Sequence, residues 1–193
     1  MNYENWHAQN AQQNFRNELM EFRGKPNLNY LQIGAFSGDC SLWLFRNVLT
    51  DPSSRLTDVD CWGLKDTKDY LYQMAFDWQD VENTYDAKVE KYKDRINKCK
   101  AMSKDWLLAN RTEQYDFIYI DGDHTPKATM TDAMLSWDLL KVGGIIAFDD
   151  YLWQHPNGDP FRPGPAIDLF QQMYRNESQL IVSNWQVWLK KTN

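Results

Sequence analysis

Tyr115-Asp116-Phe117-Ile118-Tyr119-Ile120-Asp121-Gly122-Asp123-His124 decides the fold, together with Val142-Gly143-Gly144-Ile145-Ile146-Ala147-Phe148-Asp149-Asp150-Tyr151 further along. Each stretch holds a short β-branched and aromatic run with nearly every position apolar, the pattern of a strand covered on both faces. Each run stops abruptly in acid. Two adjacent parallel strands would bring Asp121, Asp149 and Asp150 to one carboxyl edge of a sheet, where open α/β folds bind ligands. Three carboxylates so close disfavour one another's ionisation unless a cation or a proton lies among them. The cluster therefore reads as a divalent-metal site, with His124 as its chemical companion. Taken singly, each acid also reads as a cap or turn residue.

Mg2+ prefers oxygen ligands and keeps positions open for water and substrate. Such a metal orients a hydroxyl-bearing acceptor and lowers the pKa of the hydroxyl that reacts. Imidazole beside that hydroxyl is placed to take its proton at neutral pH, which makes His124 a candidate general base. The other readings of His124 are a loop residue bonded to Asp123 and a fourth metal ligand.

Upstream, residues 27–33 read as a strand running into Gly34-Ala35-Phe36-Ser37-Gly38, and Ser41-Leu42-Trp43-Leu44-Phe45 opens a helix. Strand, glycine-rich turn and helix in that order form the first unit of a nucleotide-binding βαβ. A second strand, residues 56–59, ends at Asp60, 22 residues beyond Gly38. An acid there is positioned to bind a ribose hydroxyl pair. The G-x-x-x-G spacing, with bulky Phe36 inside it, lacks the glycines that bring a backbone up to a pyrophosphate. An adenosine-bearing cofactor without a pyrophosphate fits better than a nicotinamide dinucleotide. A ligand-free strand–helix turn is the plainer alternative.

The remaining elements follow from periodicity and punctuation. Residues 5–23 suggest an amphipathic helix with Trp6, Phe15, Leu19, Met20 and Phe22 on its apolar side, ended by Gly24 and Pro26. Residues 66–97 read as one or two helices with a break near Asp80, and residues 98–102 as a weak third strand. Ser103 is expected to cap a helix over 104–109. A helix over 126–140 has Thr125 as its cap and Pro126 in its first turn, with Met130, Ala133, Met134, Trp137 and Leu140 at helical spacing. Strand five spans 145–148. A Pro-, Gly- and aromatic-rich loop over 151–165 carries Tyr151, Trp153, His155, Phe161 and Arg162. It reads either as an acceptor cover or as an aromatic cluster on the sheet edge. A helix over 165–174 precedes two strands, 180–182 and 185–189, that form a hairpin around Ser183-Asn184. The expected organisation is one domain over 1–193, with 1–26 as a helical segment packed on it.

Composition narrows the function classes. Of 193 residues, 42% are hydrophobic and 25% charged, a globular balance. The aromatic share of 15%, with nine Trp, reads either as core or as pocket lining. A net charge of −6 argues against a nucleic-acid partner held through phosphates. The densest basic stretch, Lys88 to Lys104, is interleaved with Glu90 and Asp94. Cys40, Cys61 and Cys99 are widely spaced without a C-x-x-C, which suits reduced thiols rather than a disulfide framework or zinc site. No apolar run reaches the ~20 residues of a membrane span. The expectation is a soluble, cytoplasmic protein with neither nucleic acid nor membrane as partner.

With these residues in hand, the chain resembles the class I S-adenosylmethionine-dependent methyltransferases. Within them it is similar to the metal-dependent small-molecule O-methyltransferases, the group of macrolide-sugar methyltransferases and cephalosporin-hydroxylase-like proteins. Leu31-Gln32-Ile33-Gly34-Ala35-Phe36-Ser37-Gly38 matches the first motif of that family, and Asp60 its ribose-binding acid. Asp121-Gly122-Asp123-His124 and the run from Leu140 through Asp149-Asp150-Tyr151 match the later motifs. The resemblance implies an α/β fold, a Rossmann-like three-layer sandwich with a mostly parallel seven-stranded sheet and a C-terminal antiparallel hairpin.

It also implies S-adenosyl-L-methionine as cofactor, held by Gln32, Gly34, Ala35, Phe36, Ser37, Gly38, Asp60, Met102, Ser103 and Asp121. Mg2+ or another divalent cation would sit on Asp121, Asp149 and Asp150, with His124 as the base. The implied acceptor is a small-molecule hydroxyl of a sugar, polyol or phenol, sugar-like favoured. Gln32 departs from the pattern, because an acid that helps hold the cofactor's amino group usually stands there. The chain is also minimal, lacking the N-terminal extension with which some relatives enclose the acceptor. Two other classes remain open at this stage: a non-catalytic assembly protein that kept the fold, and a nicotinamide-dependent dehydrogenase.

Overall fold

The strands fall where the apolar runs place them. A computed structural model describes residues 3–64, 76–154 and 162–193. Its strands are β1 (Asn29–Ile33), β2 (Arg55–Asp60), β3 (Ile96–Lys100), β4 (Tyr115–Ile120), β5 (Leu140–Phe148), β6 (Ser178–Ser183) and β7 (Val187–Lys191). They form one sheet in the order β3-β2-β1-β4-β5-β7-β6. The first five run parallel, while β7 lies antiparallel between β5 and β6. The described helices are α1 (Gln12–Leu19), α2 (Asp39–Asn47), α3 (Trp78–Val89), α4 (Ser103–Ala109), α5 (Pro126–Trp137) and α6 (Gly164–Met173). Among the described residues no helix is long and apolar enough to cross a membrane.

The period-2 geometry of β4 shows why its sequence is apolar throughout. Successive side chains point to opposite faces. Phe117 and Tyr119 enter the core beneath α1 and α2 with Phe15, Trp43, Phe45 and Trp188. Ile118 and Ile120 enter the core beneath α4, α5 and α6 with Trp106, Trp137, Ile167 and Phe170. The result is the three-layer sandwich that the motifs imply. Phe15, fully buried, meets Trp43, Phe117, Tyr119 and Trp188 edge-on at 5.0–5.7 Å between centroids, which docks α1 onto the sheet.

Several boundaries differ from the periodicity. α5 stops at Trp137 because Leu140 is already in β5, paired with Tyr115. The register then jumps to Phe117 opposite Ile145, so residues 141–144 bulge outward. β3 starts two residues before its expected position, fed by the 3₁₀ turn Glu90–Arg95. Ser103 is not a cap: Met102 occupies the cap position, and no side chain caps this helix. Thr125 does cap α5, accepting from the Ala128 N–H at 3.3 Å. The C-terminal turn is wider than Ser183-Asn184, with Trp185 and Gln186 inside it and Asn184 Oδ1 accepting from the Gln186 N–H at 3.0 Å. Only the latter part of the expected helical region 66–97 lies among the described residues.

The N-terminal segment is a chain of unlike turns rather than one helix. A π-type turn, His7–Ala11, leads into α1, and a 3₁₀ turn, Met20–Phe22, follows it. Such widened turns are uncommon and tend to occur at functional sites.

Where β1 and β4 diverge, strand order reverses, and this is the crevice at which such sheets bind ligands. Gly34 stands at its mouth with φ +87°, its N–H donated to Val59 O at 2.9 Å. A Cβ on Gly34 would sit 1.9 Å from the backbone oxygen of Asp121. Gly143, in the β5 bulge, has a similar φ of +85° but open space around it. Gly34→Ala is therefore expected to lose more than about 3 kcal/mol of stability, since clash adds to strain. Gly143→Ala should lose only about 1 kcal/mol, the left-handed strain alone. Urea denaturation of the two variants measures the difference, and equal losses would contradict the close approach.

Candidate active site

A cavity of about 410 Å³ opens at this crevice. One half is built by the glycine turn and by the ends of β2 and β3. Gly34, Phe36, Asp60, Met102 and Ser103 line it, with Asp121 at the boundary to the other half. Asp60 organises the rim through two 2.8 Å bonds: Oδ2 accepts from the Phe36 N–H and Oδ1 from the Trp62 N–H. Trp62 closes the loop by donating its indole N–H to Phe36 O at 2.8 Å. These contacts hold Phe36 at φ +43°, a conformation that a bulky residue adopts only when its surroundings impose it. Burial raises the Asp60 carboxyl above its ordinary pKa, and the N–H donors oppose that rise.

Four residues of the expected cofactor set lie behind the turn rather than on the cavity wall. Gln32 is 2% exposed and uses both ends of its amide within the protein. Its Nε2 donates to Gly34 O at 3.0 Å, and its Oε1 accepts from Ser41 Oγ at 3.3 Å. Ala35 and Ser37 are buried, and Ser37 Oγ bonds Asp39 at 3.0 Å. Gly38 packs against Tyr85.

The other half of the cavity holds the acids. Ligand atoms of Asp121, His124 and Asp150 lie within 4.8 Å of one another, the group among the described residues able to hold a metal ion. His124 Nε2 is 2.7 Å from Asp150 Oδ2, so its carboxylate partner is Asp150. Asp150 Oδ1 accepts from the Trp185 indole at 3.2 Å. Asp149 stands apart from that group. Its Oδ2 accepts from the Tyr119 hydroxyl and its Oδ1 from the Asp150 N–H at 2.8 Å.

Burial, reinforced by the charges of Asp149 and Asp150, pushes the Asp121 carboxyl well above the ordinary carboxylate range. Burial and the Asp150 charge push Asp149 up to about 7. A divalent ion held among these carboxylates would lower both.

Aromatic residues complete the cavity, and the sequence did not assign them to it. Trp6 stacks on Phe36 at 5.1 Å between centroids and lines the wall with His7 and Asn10. Trp153 lies 5.1 Å from the His124 ring, and Trp185 reaches in from the turn before β7. The nine-Trp excess was the available signal. Which of them face a cavity depends on contacts across the fold. Within the 151–165 loop, Trp153 faces the cavity, whereas Tyr151 turns to Asp168 of α6 at 2.8 Å. His155 and Phe161 lie outside the described residues.

Behind the glycine turn, Asp58 is wholly buried, with Oδ2 accepting from Tyr85 OH at 2.7 Å. Burial raises its carboxyl to about 7. Such a group binds more protons folded than unfolded, so its penalty is absent below the unfolded value of ~4 and grows as pH rises towards the folded value. Asp58→Asn keeps an acceptor for Tyr85 and removes the charge. The variant should be more stable than the parent at pH 8, by on the order of 1–2 kcal/mol, and equal to it near pH 4. Thermal melts at the two pH values check the sign, and a variant less stable at pH 8 would contradict it.

A family model described as a methyltransferase domain matches residues 31–151. A 49-residue stretch is 45% identical to tapetum-specific methyltransferase 1 of Arabidopsis thaliana, covering 25% of this chain and 20% of that protein. Among solved structures, the O-methyltransferase of Bacillus cereus in complex with S-adenosylhomocysteine superposes with a TM-score of 0.60 at 16% identity. That match covers 99% of this chain and 93% of that one. MycE methyltransferase of the mycinamycin pathway, in complex with Mg, S-adenosylhomocysteine and mycinamycin VI, gives a TM-score of 0.63 at 16% identity. The match covers 100% of this chain and 51% of that one. At these identities the likeness to solved structures concerns the fold.

Proposed function

We propose that this chain, which belongs to the methyltransferase-domain family of S-adenosylmethionine-dependent enzymes, methylates a hydroxyl oxygen of a small molecule with the help of a divalent cation. The observation that carries the reading is one cavity lined by Gly34 and Asp60 at one end and by Asp121, His124 and Asp150 at the other. The residues fit both groups. Gly34, Phe36 and Asp60 line one end of the crevice, where a cofactor's methionine and ribose would lie against the glycine turn and the strand-end acid. Two convergent carboxylates, Asp121 and Asp150, suit a hard cation, with the His124 imidazole beside them. When bound, the cofactor supplies the sulfonium methyl carbon, and the cation supplies positive charge that acidifies a hydroxyl.

The remaining work falls to the chain's own side chains. Asp121 and Asp150 would hold the cation, and Asp149, which abuts them, would join or support that set. His124 would take the acceptor proton, and the Asp150 carboxylate 2.7 Å away would stabilise the imidazolium that forms. Trp6, Trp153 and Trp185 provide flat apolar walls that exclude water and orient a ring-shaped acceptor. Such walls suit a sugar ring or a phenol alike, and the sugar-like acceptor remains our preference from the motif around His124. The net charge of −6 supports a small-molecule rather than a nucleic-acid acceptor. Cys40, Cys61 and Cys99, which form no disulfide among the described residues, support a reducing compartment, the cytoplasm, and the unit of action is one domain over 1–193.

A second reading, a binding or assembly protein without turnover, is favoured by one observation. Gln32 is uncharged, buried off the cavity wall and bonded to Gly34 and Ser41, a poor holder for the cofactor's amino group. Calorimetric titration with S-adenosylmethionine, with and without Mg2+, separates the two, because failure to bind the cofactor selects the second. If the enzyme reading holds, His124→Ala should lose about 10²- to 10⁴-fold in turnover while its cofactor affinity stays within about twofold. EDTA should abolish methyl transfer by the parent protein and excess Mg2+ restore it. Full turnover by the variant would remove His124 from the chemistry, and EDTA-insensitive transfer would remove the cation.

A further inference from the structure

We propose that Asn14, Gln186 and Tyr119 are positioning residues, forming a buried relay through which the N-terminal helix sets the acidic cluster. The proposal rests on the metal-site reading above and concerns residues that touch neither cofactor nor acceptor. In α1, Asn14 Nδ2 donates to Gln186 Oε1 at 2.8 Å and exchanges a second pair of 3.0 Å bonds with Asn184. The Trp188 indole donates to the same Gln186 oxygen at 3.0 Å. Two donors on Oε1 leave the amide one orientation, with Nε2 directed at the Tyr119 hydroxyl 3.4 Å away. The phenol oxygen thereby accepts from Gln186, and its single proton goes to Asp149 Oδ2.

The relay ends in backbone geometry. With Oδ2 held by Tyr119, Asp149 Oδ1 accepts the Asp150 N–H at 2.8 Å. Asp150 sits at φ +55°, in the left-handed region that Asp tolerates better than most side chains, and the bond from its N–H to Asp149 holds it there. That conformation accompanies the placement of the Asp150 carboxylate with Asp121 and His124. Gln186 and Tyr119 are fully buried and Asn14 is 8% exposed. Losing one member would therefore leave a partner unpaired away from water. The arrangement gives the N-terminal segment two roles in the acceptor half. His7 and Asn10 line the cavity, and Asn14, one turn further on, sets the acids beneath it.

The test uses Mn2+ alone as probe, titrated into the full chain by electron paramagnetic resonance, with S-adenosylmethionine affinity measured in parallel. Tyr119→Phe removes one oxygen and keeps the ring. It is expected to weaken Mn2+ binding at least about tenfold, as loss of a support behind metal ligands does, with cofactor affinity within about twofold. Asn14→Ala, further along the relay, should weaken Mn2+ binding by a smaller factor in the same direction, and it carries the comparison if Tyr119→Phe fails to fold. Mn2+ affinity unchanged in the folded variants would overturn the relay and leave the metal site standing. Equal losses of Mn2+ and cofactor affinity would also overturn it, since these residues would then serve stability alone. A parent protein that binds no Mn2+ would overturn the metal site and the relay together.

Discussion

At the mouth of the crevice, the backbone of Gly34 runs so close to that of Asp121 that no side chain fits between them. This contact joins the two halves of the site. It ties the end of β1 to the end of β4, the strands between which the sheet reverses its order. It also places the glycine turn and the acids against one cavity. A residue with a Cβ at position 34 would force the two strand ends apart, and the glycine-turn half would lose its register with the acidic half. The short reach of Asp60 to Phe36 and Trp62 then fixes the rim around that contact.

The second constraint is electrostatic. Asp121, Asp149 and Asp150 are held together in a buried setting that penalises their charge. The fold offsets that penalty at two of the acids with hydrogen-bond partners: the Tyr119 hydroxyl and a backbone N–H for Asp149, and the Trp185 indole and the His124 ring for Asp150. The same donors set directions. Asp149 is turned towards Tyr119 and the Asp150 N–H, and Asp150 towards His124. Asp58 shows the contrast, since a buried acid away from the cavity has a tyrosine partner and no access to a ligand.

Much of this could be read from residues in order. The strands β4 and β5 were legible because a strand covered on both faces is apolar at nearly every position, and β1 and β2 because a glycine turn and an acid punctuate them at Gly34 and Asp60. The cap at Thr125 was legible because capping is local chemistry between residues three apart. Ser103 was misread by the same logic, because the helix begins one residue earlier and takes Ser103 into its first turn. The end of α5 was misread because Leu139 and Leu140 keep the helical period while already leading into a strand. The wall formed by Trp6, His7 and Asn10 carried no local signal. An amphipathic helix shows which side is buried and says nothing of what it is buried against.

The sequence by itself determined the order of strands and helices, the glycine turn with its acid at Asp60, and the presence of acids at two strand ends. Those are properties of residues near one another in the chain, where propensity and spacing act directly. Only the tertiary structure decided how the acids divide their work and which tryptophans face the cavity. It alone committed both ends of Gln32 to neighbours behind the turn. Each of those outcomes depends on a hydrogen bond or a ring contact between distant segments. Asn14 and Gln186 stand 172 positions apart yet meet at 2.8 Å, and only the packing of α1 against the hairpin brings them together.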